Sequence, residues 1–217
     1  MLAVPALAML LRVGTLTDAF AAAAPPCPND AKYCLGIELF VVLEGGDPVQ
    51  TAKWWAGEAA RANDLFAAMD VGFELAGVHF IGGQWAHIDT RLTRDKLGRR
   101  DRTPGFVHVF MVRELDDVDI EGARLYGVHW RDRGRAGQRF IILSARDGSA
   151  TTFAHEAGHY FGLPHSKYDV SIMNKSPRSD PPWPERVFAE PEVRRAVRHR
   201  DRMLAEKFLV RRKRVGD

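Results

Sequence analysis

Residues 155–165 read His-Glu-Ala-Gly-His-Tyr-Phe-Gly-Leu-Pro-His, and no other stretch restricts the fold as tightly. On a helix, His155 and His159 lie four apart and project from one face, so both imidazoles can reach one metal ion. Glu156 stands beside them, placed to polarise a water held there. Gly162 can adopt the left-handed backbone that ends a helix and turns the chain sharply. That turn swings His165 back as a third ligand and leaves the fourth position of a zinc ion open, as a catalytic site requires. The bland alternative is two histidines on a solvent-facing helix. It leaves the glycine and the third histidine, both in register, without a reason.

The pattern resembles the zinc-binding consensus of the metzincin metalloproteases. Those enzymes also carry a methionine in a tight turn beneath the metal, and Ser171-Ile172-Met173-Asn174 looks like that turn. Ser166 after the third histidine resembles the matrixin branch. Astacin-like members have Glu there and a Tyr two residues after the methionine, where this chain has Lys175. The resemblance covers about residues 149–176. It implies zinc on His155, His159 and His165, Glu156 as the catalytic base, and Met173 as a structural floor without chemistry. It also implies an α/β (α+β) zincin-like fold: a mixed, mostly parallel twisted sheet, an antiparallel edge strand, an active-site helix and a small irregular C-terminal subdomain.

The rest of the chain fits that layout. Residues 37–43 form an apolar, β-branched run that Gly45, Gly46 and Pro48 stop, a buried strand and a turn. From 49 to 69, Ala52, Trp55, Ala56, Ala59, Ala62, Phe66 and Met69 recur at helical spacing, which puts Lys53, Glu58, Arg61 and Asp64 on other faces. Residues 71–81 read as a second strand and 106–115 as a central one. Residues 88–104 form a polar connection with a short helix. Residues 124–130 have the polar, glycine-containing profile of an edge strand. Residues 131–137 make a solvated turn, and 139–145 return to the core. Asp147, Gly148 and Ser149 supply capping groups for the motif helix. There Phe153, Ala157 and Phe161 pack inward. After Met173, residues 175–184 are irregular. Pro191 opens a last helix whose apolar stripe is Val193, Val197, Leu204 and Phe208.

At 217 residues and 46% hydrophobic content, one core and one domain suffice. We expect a catalytic domain over 25–217, its upper part reaching about 162 and its lower part spanning 163–217. The net charge of +3 conceals an asymmetry, because residues 191–217 hold ten Lys/Arg against four Asp/Glu. That run reads as the solvated face of a terminal helix. No recognition motif accompanies it, so no nucleic-acid partner is expected. The acidic residues 116–121 lack the spacing of a calcium loop, which leaves a structural calcium unsupported. His79 and His87 read as partly exposed surface histidines.

Residues 1–24 combine a short apolar run from Leu2 to Leu11 with small residues before Pro25. That is an imperfect export signal, or else a mobile extension. The run is too short to span a bilayer. In an exported protein Cys27 and Cys34 would close a short disulfide loop; the competing idea is a cysteine that caps the metal. Taken together, the expected activity is that of a secreted or cell-envelope zinc endopeptidase acting on protein or peptide, taken as a monomer. The alternatives are a zinc amidase or peptidase on cell-wall peptides, and an inactive metal-binding interaction protein.

Overall fold

The computed structural model describes residues 6–100, 102–132, 138–176 and 180–212, with side chains from Arg12 onward. Helix α1 (Ala6–Ala23) precedes strand β1 (Tyr33–Glu44), short β2 (Asp47–Pro48), helix α2 (Ala52–Phe66) and strand β3 (Val71–Ile81). Then come β4 (His87–Ile88), helix α3 (Arg91–Gly98), β5 (Val107–Val112), β6 (Glu114–Leu115), β7 (Gly127–Arg131) and β8 (Arg139–Ser144). Helices α4 (Thr152–Tyr160) and α5 (Glu190–Ala205) complete the chain.

β1 pairs parallel with both β3 and β5, and β5 pairs parallel with β8. β7 runs antiparallel along β8 at the edge, and β2 folds back antiparallel on the end of β1. The sheet is thus mixed and mainly parallel, as the sequence led us to expect. Its central strands read as unbroken apolar runs because both faces are covered. Leu35, Ile37, Leu39, Val41, Val109, Met111, Ile141 and Leu143 share one core with Trp55, Ala59 and Phe66 of α2 and Phe153 and Ala157 of α4. The alternate residues Phe40, Val42, Phe110, Val112, Phe140 and Ile142 form a second core with Leu97 of α3, Ile88 and Leu115. There Phe110 stacks on Phe40 at 4.6 Å and meets Phe140 edge-on at 5.3 Å.

Helix α2 starts where Thr51 accepts a hydrogen bond from the Trp54 N–H at 3.1 Å. It tightens at Ala67–Met69 and ends at Asp70, whose φ of 54° turns the chain into β3. Its helical wheel misplaced one residue: Glu58 is only 1% exposed. The cause lies in α4. Asp147 and Ser149 do not cap that helix with their side chains. Asp147 engages Ser144, and the Ser149 hydroxyl meets only those of Thr151 and Thr152. The Phe153 N–H donates instead to Glu58 Oε2 at 2.7 Å. A buried N–H at a helix start needs an acceptor, and α2 provides it.

The stripe expected on α5 also shifts. Ala196 and Met203 are the fully buried apolar residues, while Val193, Val197 and Leu204 pack from half-buried positions and Phe208 lies beyond the helix end. Glu192 is buried too. Its carboxylate accepts from the Ala189 N–H at 2.7 Å and from the Ser171 hydroxyl at 2.8 and 2.9 Å, which ties α5 to the segment before Met173.

At the N-terminal side, Phe20 of α1 is buried with its ring edge-on to Phe80 at 6.0 Å, so the end of α1 belongs to the core. Cys27 and Cys34 form a disulfide. Both sulfurs are consumed, which removes the idea that either caps a metal. Among the described residues no helix is long and apolar enough to cross a membrane. Residues 1–5 of the apolar run, 133–137 of the expected solvated turn, 177–179 of the irregular stretch and 213–217 of the basic tail lie outside the described residues.

Candidate metal centre

α4 carries His155 and His159 on one side, while Phe153 and Ala157 are buried in the core on the other. The helix stops at Gly162, where φ is +81°. A residue with a Cβ is strained in that conformation, and the chain turns there toward His165. One ligand atom from each of His155, His159 and His165 lies within 4.8 Å of the other two, and among the described residues this is the one such group of three. The Nε2 atoms of His159 and His165 are 3.1 Å apart. Two nitrogens on one tetrahedral zinc ion stand roughly 3.3 Å apart, so the spacing suits that ion.

Hydrogen bonds on the far side of the rings fix their orientation. His155 Nδ1 lies 2.8 Å from the Ile172 carbonyl and His159 Nδ1 lies 2.7 Å from the Leu163 carbonyl. A carbonyl can only accept, so each Nδ1 carries the proton and each Nε2 keeps its lone pair for a metal. Burial pushes His155 and His165 down to about 4 and lowers His159 as well. All three are therefore neutral at pH 7, the state in which imidazole binds metal.

Glu156 is buried next to this face. Its Oε2 accepts the His129 backbone N–H at 2.7 Å, and burial pushes its carboxyl up to about 7 against that bond. The helix approaches β7 closely because residue 127 is glycine. A Cβ there would stand 2.8 Å from Thr152 Cγ2 and 2.9 Å from Glu156 Cγ.

Met173 is fully buried beneath the helix. A Cβ on Gly158 would come within 2.5 Å of its Sδ, which explains the small residue inside the motif. The Ser166 N–H donates to the Met173 carbonyl at 3.0 Å, so the turn around Met173 braces the third histidine, while Ile172 orients the first.

The acidic loop engages its neighbours: Asp116 pairs with His87 at 2.9 Å and Asp119 with Arg91. His79 is half exposed and stacks on Phe40 at 4.7 Å. Three participants escaped the sequence reading. Helical spacing puts Glu58 away from the apolar face, and His129 contributes through its backbone, which leaves no side-chain signature. Trp183, whose ring lies 6.1 Å from that of His155 and whose Nε1 donates to the Thr151 hydroxyl, came from a stretch read as irregular.

The sequence matches no protein-family model and no curated protein. Its fold is similar to the crystal structure of metalloproteinase-II from Bacteroides fragilis, with a TM-score of 0.51, 12% sequence identity and 88% of this chain covered. The match spans 60% of the length of that chain. At this identity the likeness concerns the fold. A mixed sheet of mainly parallel strands with its packed helices is what this chain shares with that metalloproteinase; the group of three histidines is an observation on this chain.

Proposed function

We propose that the protein is a zinc-dependent endopeptidase of metzincin type, with Ser166 favouring the matrixin-like branch. The observation that carries this reading is the convergence of three neutral imidazoles, two of them with Nε2 left free by bonds at Nδ1, beside a buried carboxyl that is not itself needed to hold the ion. An all-imidazole set of three suits zinc and leaves a position for water or substrate. Zinc bound there supplies a Lewis acid that polarises the scissile carbonyl and makes water acidic near neutral pH.

The protein's own groups do the rest. Glu156, with Oε2 held by His129, has Oε1 to accept a proton from the attacking water. As the water oxygen bonds to the carbonyl carbon and the C–N bond breaks, Glu156 returns that proton to the departing amine nitrogen, and the carboxyl product keeps the oxygen. Among the described residues β7 has a single strand neighbour, β8. In an antiparallel ladder every second residue turns its backbone groups away from the partner, and the His129 N–H that reaches Glu156 is one of these. An extended peptide would lie along this edge beside the catalytic carboxyl, pairing with outward groups other than the His129 N–H that Glu156 holds.

Export is supported by the Cys27–Cys34 disulfide, since such bonds persist in oxidising compartments. The burial of Phe20 counts against removal of residues 1–24 as a signal. The activity is tested by incubating the purified protein with a proteome-derived peptide mixture, with and without a chelator, and reading new termini by mass spectrometry. Chelator-sensitive cleavage within chains is expected. An untouched mixture would leave the amidase and binding-protein alternatives.

A further inference from the structure

Arg195, Arg198 and Arg202 of α5 are exposed, as a solvated helix face requires, and they also converge on one cavity. Arg195, Arg198, His199 and Arg202 fall at i, i+3, i+4 and i+7, one stripe of the helix. With Arg131 from the end of β7 and Gly162 from the turn after α4, they line a cavity of about 390 Å³, a size typical of ligand sites. Arg139 of β8 stands behind, its Nη1 3.3 Å from His199 Nε2. The guanidiniums meet uncharged partners: Arg195 Nε donates to the Gly162 carbonyl at 2.9 Å, and Arg202 Nη2 lies 2.9 Å from His199 Nδ1. Among the described residues no carboxylate forms an ion pair with Arg131, Arg195, Arg198 or Arg202. Like charges at these helical spacings repel, and a bound anion would relieve that repulsion.

The cavity also has a position relative to the chemistry. Along β7, Arg131 is two residues beyond His129, roughly 7 Å away, and His129 touches Glu156. A peptide pairing antiparallel with β7 would run from Arg131 toward Gly127, so the residues preceding its scissile bond would lie toward the cavity. We propose that this arginine-lined cavity is a subsite for an acidic side chain of the substrate, at a position preceding the scissile bond. The proposal rests on the peptidase reading above. Arginine suits the task because its planar fork holds a carboxylate through two parallel bonds.

The test uses peptides identical except for Glu or Gln at each of four positions on either side of the cut. Binding of fluorescein-labelled versions to the Glu156→Gln protein is followed by anisotropy, and kcat/KM is measured on the active protein. Glu is expected to win by about tenfold at one or two preceding positions, mostly through KM, as a charge-assisted bond warrants. The preference should shrink toward unity in Arg198→Ala and Arg131→Ala, and fall with added salt. Equal binding of Glu and Gln peptides would overturn the proposal, as would a preference confined to positions after the cut or one that survives both substitutions. Stabilisation by inorganic phosphate without any peptide preference would also overturn it, marking a site for a free anion. If acidic peptides bind preferentially and none is cut, the subsite stands and the peptidase reading falls.

Discussion

The two ends of α4 are held by opposite kinds of side chain. At the N-terminus a single carboxyl, Glu58, buried and reaching over from α2, takes the Phe153 N–H. At the C-terminus guanidiniums gather: Arg139 donates to the Tyr160 carbonyl at 3.2 Å and Arg195 to that of Gly162 at 2.9 Å. The guanidiniums complement the helix dipole, whereas the Glu58 carboxyl, protonated at neutral pH, acts as a hydrogen-bond acceptor. The two ends differ in saturation. At the N-terminal end the buried Glu58 Oε2 is taken up by the Phe153 N–H. The C-terminal end carries Arg131, Arg198 and Arg202 beyond what the last carbonyls use. One end fixes the metal ligands in place, and the other has cationic capacity left over for a ligand.

The largest effect that probes this contrast is set by pH. Burial pushes Glu58 up to about 8 from 4.5. Between those values the folded protein holds a proton that the unfolded chain has released, so stability falls as pH rises through this window, by at most ~1.4 kcal/mol per pH unit from this one group. Urea unfolding at pH 5, 6, 7 and 8 measures it, and Glu58→Gln, which cannot titrate, should flatten the slope. Equal slopes in both proteins would mean that Glu58 is not the buried titrating group described.

Next comes Glu58→Ala. It leaves a buried N–H without an acceptor and should cost ~3 kcal/mol, read as a lowered urea midpoint. Zinc affinity should fall with it, because His155 lies in the first turns of the same helix; Gln should restore most of both. An alanine variant as stable as the wild type would show that α4 does not depend on this contact.

The other end is more tolerant. Gly162→Ala forces a side chain into a φ of +81° and brings its Cβ to 3.0 Å from the His199 ring, which we expect to cost about 2 kcal/mol. Smallest is Arg195→Ala. It removes one of several cations at an exposed helix end, and its effect on stability should stay under ~1 kcal/mol. A loss as large as that of Glu58→Ala would erase the difference between the two ends.

What the sequence disclosed follows from the same contrast between local and distant causes. His155, His159, Gly162 and His165 are legible because helical spacing and one left-handed turn bring them together within eleven residues. β1, β3, β5 and β8 are legible as apolar runs, since strands covered on both faces need no alternation. Glu58 is not, because a glutamate on a helical wheel reads as solvated, and the N–H that draws it inward belongs to Phe153, 95 residues away. Arg195, Arg198 and Arg202 of α5 are exposed, as a solvated face should be; what is missing from the sequence is their convergence. Their individual positions were plain, but the convergence with Arg131 depends on how β7 and α5 sit together, and no local pattern encodes it. Of the capping expected from residues 147–149, the Ser149 carbonyl supplies a part by accepting the Thr152 N–H at 2.9 Å, while the Asp147 side chain bonds Ser144 instead.

The central claim is that three histidines hold zinc while Glu156 moves the proton. It is tested most directly by measuring metal content and peptide hydrolysis together in Glu156→Gln. This change keeps size and hydrogen bonding, and it leaves the imidazoles untouched. The account predicts one zinc per chain, as in the wild type, with hydrolysis reduced by ~10²–10⁴-fold, whereas His159→Ala should lose metal and activity together. A Gln variant that keeps its zinc and its full rate would contradict the role given to Glu156, and a wild type that binds no zinc would contradict the site itself.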